Sequence, residues 1–168
     1  MNLTNIAEHL INELAKEITN QGHRGTGKLI NSLRHEIKQE GNDSYMRIFA
    51  NYYAKFVANG VGASKIPYTR GSGKKTSKYI DALTNWVVEV LHKTPDAKAR
   101  SIAFAIANAH KKQGMPTTNS YRYSNNGRRL NFIQYVLNEN RAFIKEEIQK
   151  EYGKTIREKI SNIVKKQA

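Results

Sequence analysis

The sequence predicts an α+β fold: a helix-rich single domain over residues 1–168, in which a small antiparallel β-hairpin packs against long helices. Three observations predict it. Apolar residues recur at three- and four-residue steps in several stretches, the mark of helices with one buried face. Between the first two of these stretches the period changes to two, on either side of a turn. And 168 residues make about one domain, large enough to bury roughly 70% of the surface its unfolded chain exposes.

The first helix carries Leu3, Ile6, Leu10, Ile11, Leu14 and Ile18 on one face. Asn5 and Glu8 have capping-box spacing at its start, and Gly22 supplies a left-handed residue at its end. A polar turn, His23 to Gly27, leads to a short helical piece over Lys28–Leu33. Residues 34–40 and 45–50 read as the hairpin. Ile37 alternates with Glu36 and Lys38, Met46, Ile48 and Ala50 alternate with Arg47 and Phe49, and Gly41-Asn42-Asp43-Ser44 forms the turn. Tyr52–Asn59 is a short helix stopped by Gly60.

From Val61 to Thr76 the chain has no periodicity, a length that compact domains reserve for functional loops or disorder. Ser77 caps the next helix, whose apolar face is Ile80, Leu83, Trp86, Val87, Val90 and Leu91. Thr94-Pro95 ends it, with Pro at the tolerated first position of its successor. That helix runs from Ala97 to Gln113 with a small-residue face of Ile102, Ala103, Ile106 and Ala109, against which Trp86 is expected to pack as core. Gly114-Met115-Pro116 closes it. A second aperiodic loop, Thr117–Arg129, precedes an apolar stretch over Leu130–Leu137. The last helix starts near Asn138 and carries Phe143, Ile144, Ile148, Tyr152, Ile156, Ile160 and Ile163, with Gly153 costing it ~1 kcal/mol relative to alanine and marking a candidate bend.

The net charge is +14, and it is unevenly placed. Residues 61–78 carry Lys65, Arg70, Lys74, Lys75 and Lys78 with no acid, and residues 115–129 carry Arg122, Arg128 and Arg129 with no acid. These two short stretches hold more than half of the excess. Such patches face a polyanion or an acidic protein surface; loops that are basic only for solubility are the plain alternative. The two segments are expected to project as mobile assembly arms, with Lys74, Lys75, Arg128 and Arg129 foremost among their contacts. Tyr121-Arg122-Tyr123 adds alternating aromatic and cation, suited to stacking on bases or to a protein interface.

Catalytic chemistry finds little support. There is no cysteine, which excludes disulfides, thiolate metal sites and cysteine nucleophiles. Gly71-Ser72-Gly73-Lys74-Lys75-Thr76 imitates the end of a phosphate-binding loop, but position 68 is Tyr where the loop needs Gly, and Lys75 stands where it needs Ser or Thr for magnesium. Gly25-Thr26-Gly27-Lys28 continues with Leu29 and follows a helix rather than a strand. His9, His23, His35, His92 and His110 are scattered singly, and no pair has the helical step that metal ligation favours. The reading is a non-enzyme with no metal and no cofactor. No signal sequence or membrane span is visible, so a soluble chain made in the cytoplasm is expected.

Residues 26–60 carry two linked motifs. The first is Thr26-Gly27-Lys28-Leu29-Ile30-Asn31-Ser32-Leu33, in which Thr26, Gly27, Leu29, Ser32 and Leu33 follow a Thr-Gly-x-Leu-x-x-Ser-Leu pattern. The second is Tyr53-Ala54-Lys55-Phe56-Val57-Ala58-Asn59-Gly60, in which Tyr53, Ala54 and Gly60 are the marked positions. With the intervening hairpin, this order resembles the neck and tail-completion proteins of tailed bacteriophages, the virion morphogenesis family. Trp86, Ile102-Ala103-Phe104-Ala105-Ile106 and Gly114-Met115-Pro116 look like later elements of a subset of that family. The chain departs from the pattern at Ala58, where glutamate is usual, and at 117–129, where a Pro-Phe lead into the last helix is usual. The resemblance covers about residues 3–116. It implies a structural subunit that assembles with itself as a ring between portal or adaptor and tail proteins, around the channel DNA, in a virion made in the bacterial cytoplasm and with no membrane partner. The competing reading is a basic DNA-binding packaging or regulatory protein. A sequence-specific reader concentrates its bases on one recognition helix, whereas here the excess sits in loops.

Overall fold

The computed structural model describes residues 3–41, 43–71, 77–91 and 97–167. Helix α1 spans Thr4–Asn20, strands β1 and β2 span Arg34–Glu40 and Asp43–Phe49, and α2 spans Ala54–Asn59. Then come α3 (Lys78–Leu91), α4 (Ala97–Gln113), α5 (Phe132–Glu139) and α6 (Arg141–Gln167). Short 3-10 stretches occur at Ile30–Ser32, Ala63–Lys65 and Thr118–Tyr123. The chain is a helix-rich α+β fold with one two-stranded antiparallel sheet.

Helix α1 is the spine. Leu3, Ile6, Ala7, Leu10, Leu14 and Ile18 are buried along one face, as the period requires. Its N-terminus lacks the capping box: the cap position is Leu3, with no side-chain bond. Its C-terminus closes as the sequence suggests. Gly22 takes φ +71°, its N–H reaches the Thr19 carbonyl at 2.9 Å, and the His23 N–H reaches Ile18 at 2.9 Å, the paired bonds of a Schellman motif. The main core gathers Leu29, Ala54, Ala58, Phe132 and Val136 around α1, with Ile37, Met46 and Ile48 of the hairpin's inner face and Ile144 and Ile148 of α6 against it. His9 ties the far end of this core down. Its Nε2–H donates to Asn140 Oδ1 at 2.7 Å, and its ring lies 4.1 Å from that of Phe143.

The hairpin register pairs Ile37 with Met46 and Glu40 with Asp43, so only two residues separate the strands. The four-residue turn expected at 41–44 is therefore shorter; Asp43 and Ser44 belong to the ladder, and Gly41 adopts φ +61°, which a two-residue connection demands. Helix α6 continues through Gly153 without interruption.

Helices α3 and α4 form an antiparallel-packed hairpin with a separate small core of Ile80, Ala103 and Ala107, flanked by Tyr68, Tyr79 and Leu83. Ser77 caps α3 as expected, accepting from the Ile80 N–H at 3.4 Å. The Thr94-Pro95 connection lies outside the described residues. The facing surfaces differ from expectation. The buried line of α4 is Ala99, Ala103 and Ala107, at successive four-residue steps, with Ile102, Ile106 and Ala109 only half-buried. Trp86 is 41% exposed, so the expected Trp86 core is corrected to one built on Ile80 and Val87. The reason is steric: a line of alanines brings two helix backbones close, and an indole does not fit between them. Ile80→Ala is expected to cost about 2–5 kcal/mol in urea unfolding and Trp86→Ala clearly less; the reverse order would refute this packing.

Candidate interaction surface

The motif residues hold the frame together. Gly27, at φ +78°, opens the turn after α1, and its carbonyl accepts the Asn31 N–H at 3.0 Å. Leu29 is buried in the main core and Leu33 packs against it; Thr26 is exposed. Ser32 Oγ donates to the Leu29 carbonyl at 2.7 Å and accepts the Asn51 N–H at 2.9 Å, which fastens the first motif to the strand exit just before the second. Tyr53 packs on the same core and Ala54 is inside it. Gly60, at φ +73°, turns the chain so that Val61 and Met115 exchange two backbone bonds of 2.8 Å. Residues 26–33, 51–61 and 114–116 thus meet, although they are distant in sequence.

Both basic segments leave from this Val61–Met115 ladder, but neither is simply a projecting arm over its described length. In the first, Ile66 is buried, its carbonyl accepts from Lys111 Nζ at 3.2 Å, and Tyr68 packs against α4. Lys65, Arg70 and Lys78 are exposed along it; Lys74 and Lys75 lie outside the described residues. The second segment is laid across the C-terminal end of α1. Asn126 Nδ2 donates to both carboxylate oxygens of Glu17 at 3.0 and 3.1 Å, and the Asn125 N–H donates to the Asn20 carbonyl at 2.7 Å. Gln21 Nε2 donates to Glu17 Oε1 at 2.9 Å and to the Leu130 carbonyl at 3.0 Å. Arg129 Nη1 donates to the Gln21 and Gly22 carbonyls at 2.8 and 3.2 Å.

Arg129 therefore has a structural role beside the expected contact one: it donates to backbone carbonyls just past the end of α1. Arg122 and Arg128 remain exposed. Arg122 lies 4.8 Å from the Tyr123 ring centre and donates to its hydroxyl at 2.7 Å; Arg128 lies 3.9 Å from the ring centre of Tyr135. The sequence reading missed the Glu17–Gln21–Asn126 network. Its signal was there: Glu17 and Gln21 continue the Leu10–Leu14 line at three- and four-residue steps, which puts two polar side chains on the buried face.

An open depression of about 1030 Å³ lies between the end of α1 and the 24–31 turn, lined by Lys16, Thr19, Asn20, Arg24 and Gly25–Gly27 among others. Its lining holds bases and amides but no carboxylate, so it offers no acid–base pair. Among the described residues, no three His, Asp or Glu side chains are grouped to hold a metal ion, and no helix is long and apolar enough to cross a membrane. No family model, curated protein or solved structure matches the chain.

Two histidines are held below the usual imidazole range. Burial depresses His23, whose Nε2 bonds the Arg129 carbonyl at 2.9 Å, and burial depresses His110, whose Nδ1 lies 2.7 Å from the Tyr79 hydroxyl. The unfolded chain takes up these protons more readily than the folded one. Their contribution is complete above the ordinary value of 6.5 and is lost as pH falls through 6.5 toward the folded values. Urea unfolding between pH 8 and 5 is expected to show constant stability at the upper end and a decline below 6.5. A flat profile would contradict the burial of both rings.

Proposed function

We propose that the chain is a structural subunit of a tailed-phage virion, a neck or tail-completion component that assembles as a ring around the DNA channel. The observation that carries this reading is the role of the motif residues. Leu29, Ser32, Ala54 and Gly60 work as joints between α1, the hairpin exit and the Met115 segment, which is what a fold signature shared by structural subunits does. Two further features support it. Lys65, Arg70, Arg122 and Arg128 are exposed on segments without acids, and Tyr52, Phe56, Trp86, Phe104 and Ile133 leave apolar side chains outside.

The test is immunogold electron microscopy of tailed particles from the strain that encodes the chain, with antibody raised against the purified protein. Label at the head–tail junction is the expected result. Intact particles without label, from a lysate containing the protein, would overturn the reading. The DNA-binding alternative is separated by titrating the purified protein with short duplexes: tight, sequence-selective binding belongs to a regulatory protein, and weak salt-sensitive binding to a channel subunit.

A further inference from the structure

Helix α6 is 27 residues long, about 40 Å at 1.5 Å per residue, and among the described residues only its first part packs on a hydrophobic core. Ile144 and Ile148 pack on the main core, and Phe143 meets His9. Beyond them Tyr152, Ile156, Ile160, Ile163 and Val164 are 55–60% exposed. At 100° per residue these five lie within an arc of about 120°, rotated away from the Ile144–Ile148 face because successive four-residue steps drift round the helix. The distal half therefore presents its own apolar stripe, aimed differently from the one that holds the helix to the body.

The charges around this stripe are ordered. Lys159 borders it on one side and Arg157 on the other, while Glu151 and Glu158 fall on the opposite face together with Lys154 and Lys165. Among the described residues, neither Lys159 nor Arg157 has an ion-pair partner, whereas Lys150, nearer the body, is already paired with Glu146 and Glu147. We infer that the distal half of α6 is a docking helix for a partner protein that offers an apolar groove rimmed by carboxylates. The proposal does not depend on the virion reading.

Two other occupants fit less well. A second copy of α6, in either orientation, sets basic rim against basic rim, and like charges oppose pairing. An anionic bilayer would take a basic helix, but helices that lie in the membrane interface anchor through Trp, Phe and Leu, and residues 152–165 contain none of these. Their apolar residues are Tyr and β-branched Ile and Val, stiff side chains suited to packing into protein holes.

The test uses the whole protein and two labelled synthetic amphipathic helices with the same leucine seam, one rimmed with glutamate and one with lysine. Fluorescence anisotropy is expected to show the glutamate-rimmed helix bound at least about tenfold more tightly at low salt. Ile156→Ser with Ile160→Ser should abolish binding, and Arg157→Glu with Lys159→Glu should reverse the preference between the peptides. Urea unfolding of both double variants should match the parent, since neither touches the core. Equal or absent binding of the two peptides overturns the proposal. So does tighter binding to phosphatidylglycerol vesicles than to the glutamate-rimmed helix. Sedimentation showing self-association that Ile156→Ser with Ile160→Ser abolishes would also overturn it, by naming a second copy as the occupant.

Discussion

Gly60→Val is expected to destabilise the protein by about 2–6 kcal/mol, from a conformational cost of ~1–3 kcal/mol and an overpacking cost of similar size. Gly60 combines φ +73° with ψ −179°, a region essentially confined to glycine. A Cβ there would stand 2.5 Å from the Met115 carbonyl oxygen and 3.1 Å from Leu130 Cδ2. The backbone oxygen cannot move aside, because Met115 is held to Val61 by two hydrogen bonds. In a chain of this size the melting temperature should fall by about 10 °C. An unchanged melting temperature would mean that the Gly60–Met115 approach is wrong, and with it the meeting of the motif segments.

Arg129→Glu is the second large effect, and it separates neighbours that look alike in sequence. Arg129 Nη1 serves two carbonyls at the end of α1, and reversal of its charge sets a carboxylate against them. The expected loss is about 2–4 kcal/mol, from two charge-assisted bonds at a half-exposed site. Arg128→Glu, one residue earlier, forfeits only a surface contact with the Tyr135 ring and should cost under about 1 kcal/mol. Chemical denaturation of the two variants checks the contrast. Equal, small losses would return Arg129 to the set of free surface cations. An assembly assay by charge reversal is therefore cleanest at Lys65, Arg70, Arg122 and Arg128, where a failure to assemble cannot be blamed on the fold.

The helices were legible in the sequence because burial imposes a period on them. Leu10, Leu14 and Ile18 announce α1 without any knowledge of what covers them. Gly22 and Gly60 were legible for the same kind of reason: a helix must end, and a left-handed glycine ends it cheaply. Periodicity does not say which edge of an apolar arc is deepest. Trp86 lies at the edge of the α3 arc, and the depth is set by the neighbouring helix, whose Ala99–Ala103–Ala107 line governs the approach. The docking of residues 117–129 was hidden for a different reason. It rests on single polar contacts such as Glu17 with Asn126, more than a hundred residues apart, which leave no periodic trace. The apolar residues of α6 were read as one series, yet only Ile144 and Ile148 pack on the main core, while Tyr152, Ile156, Ile160, Ile163 and Val164 stay exposed.

The α3–α4 hairpin has a thermodynamic consequence of its own. Among the described residues its small core shares no buried residue with the main one, and it is moored by the Ile66 segment, the Val61–Met115 ladder and a long Lys28–Glu89 contact of 3.9 Å. Such a unit can open while the rest of the molecule stays folded. Amides of α3 and α4 should exchange with solvent through this partial opening, at lower free energy than those of α1, so the molecule carries two levels of cooperativity in one chain.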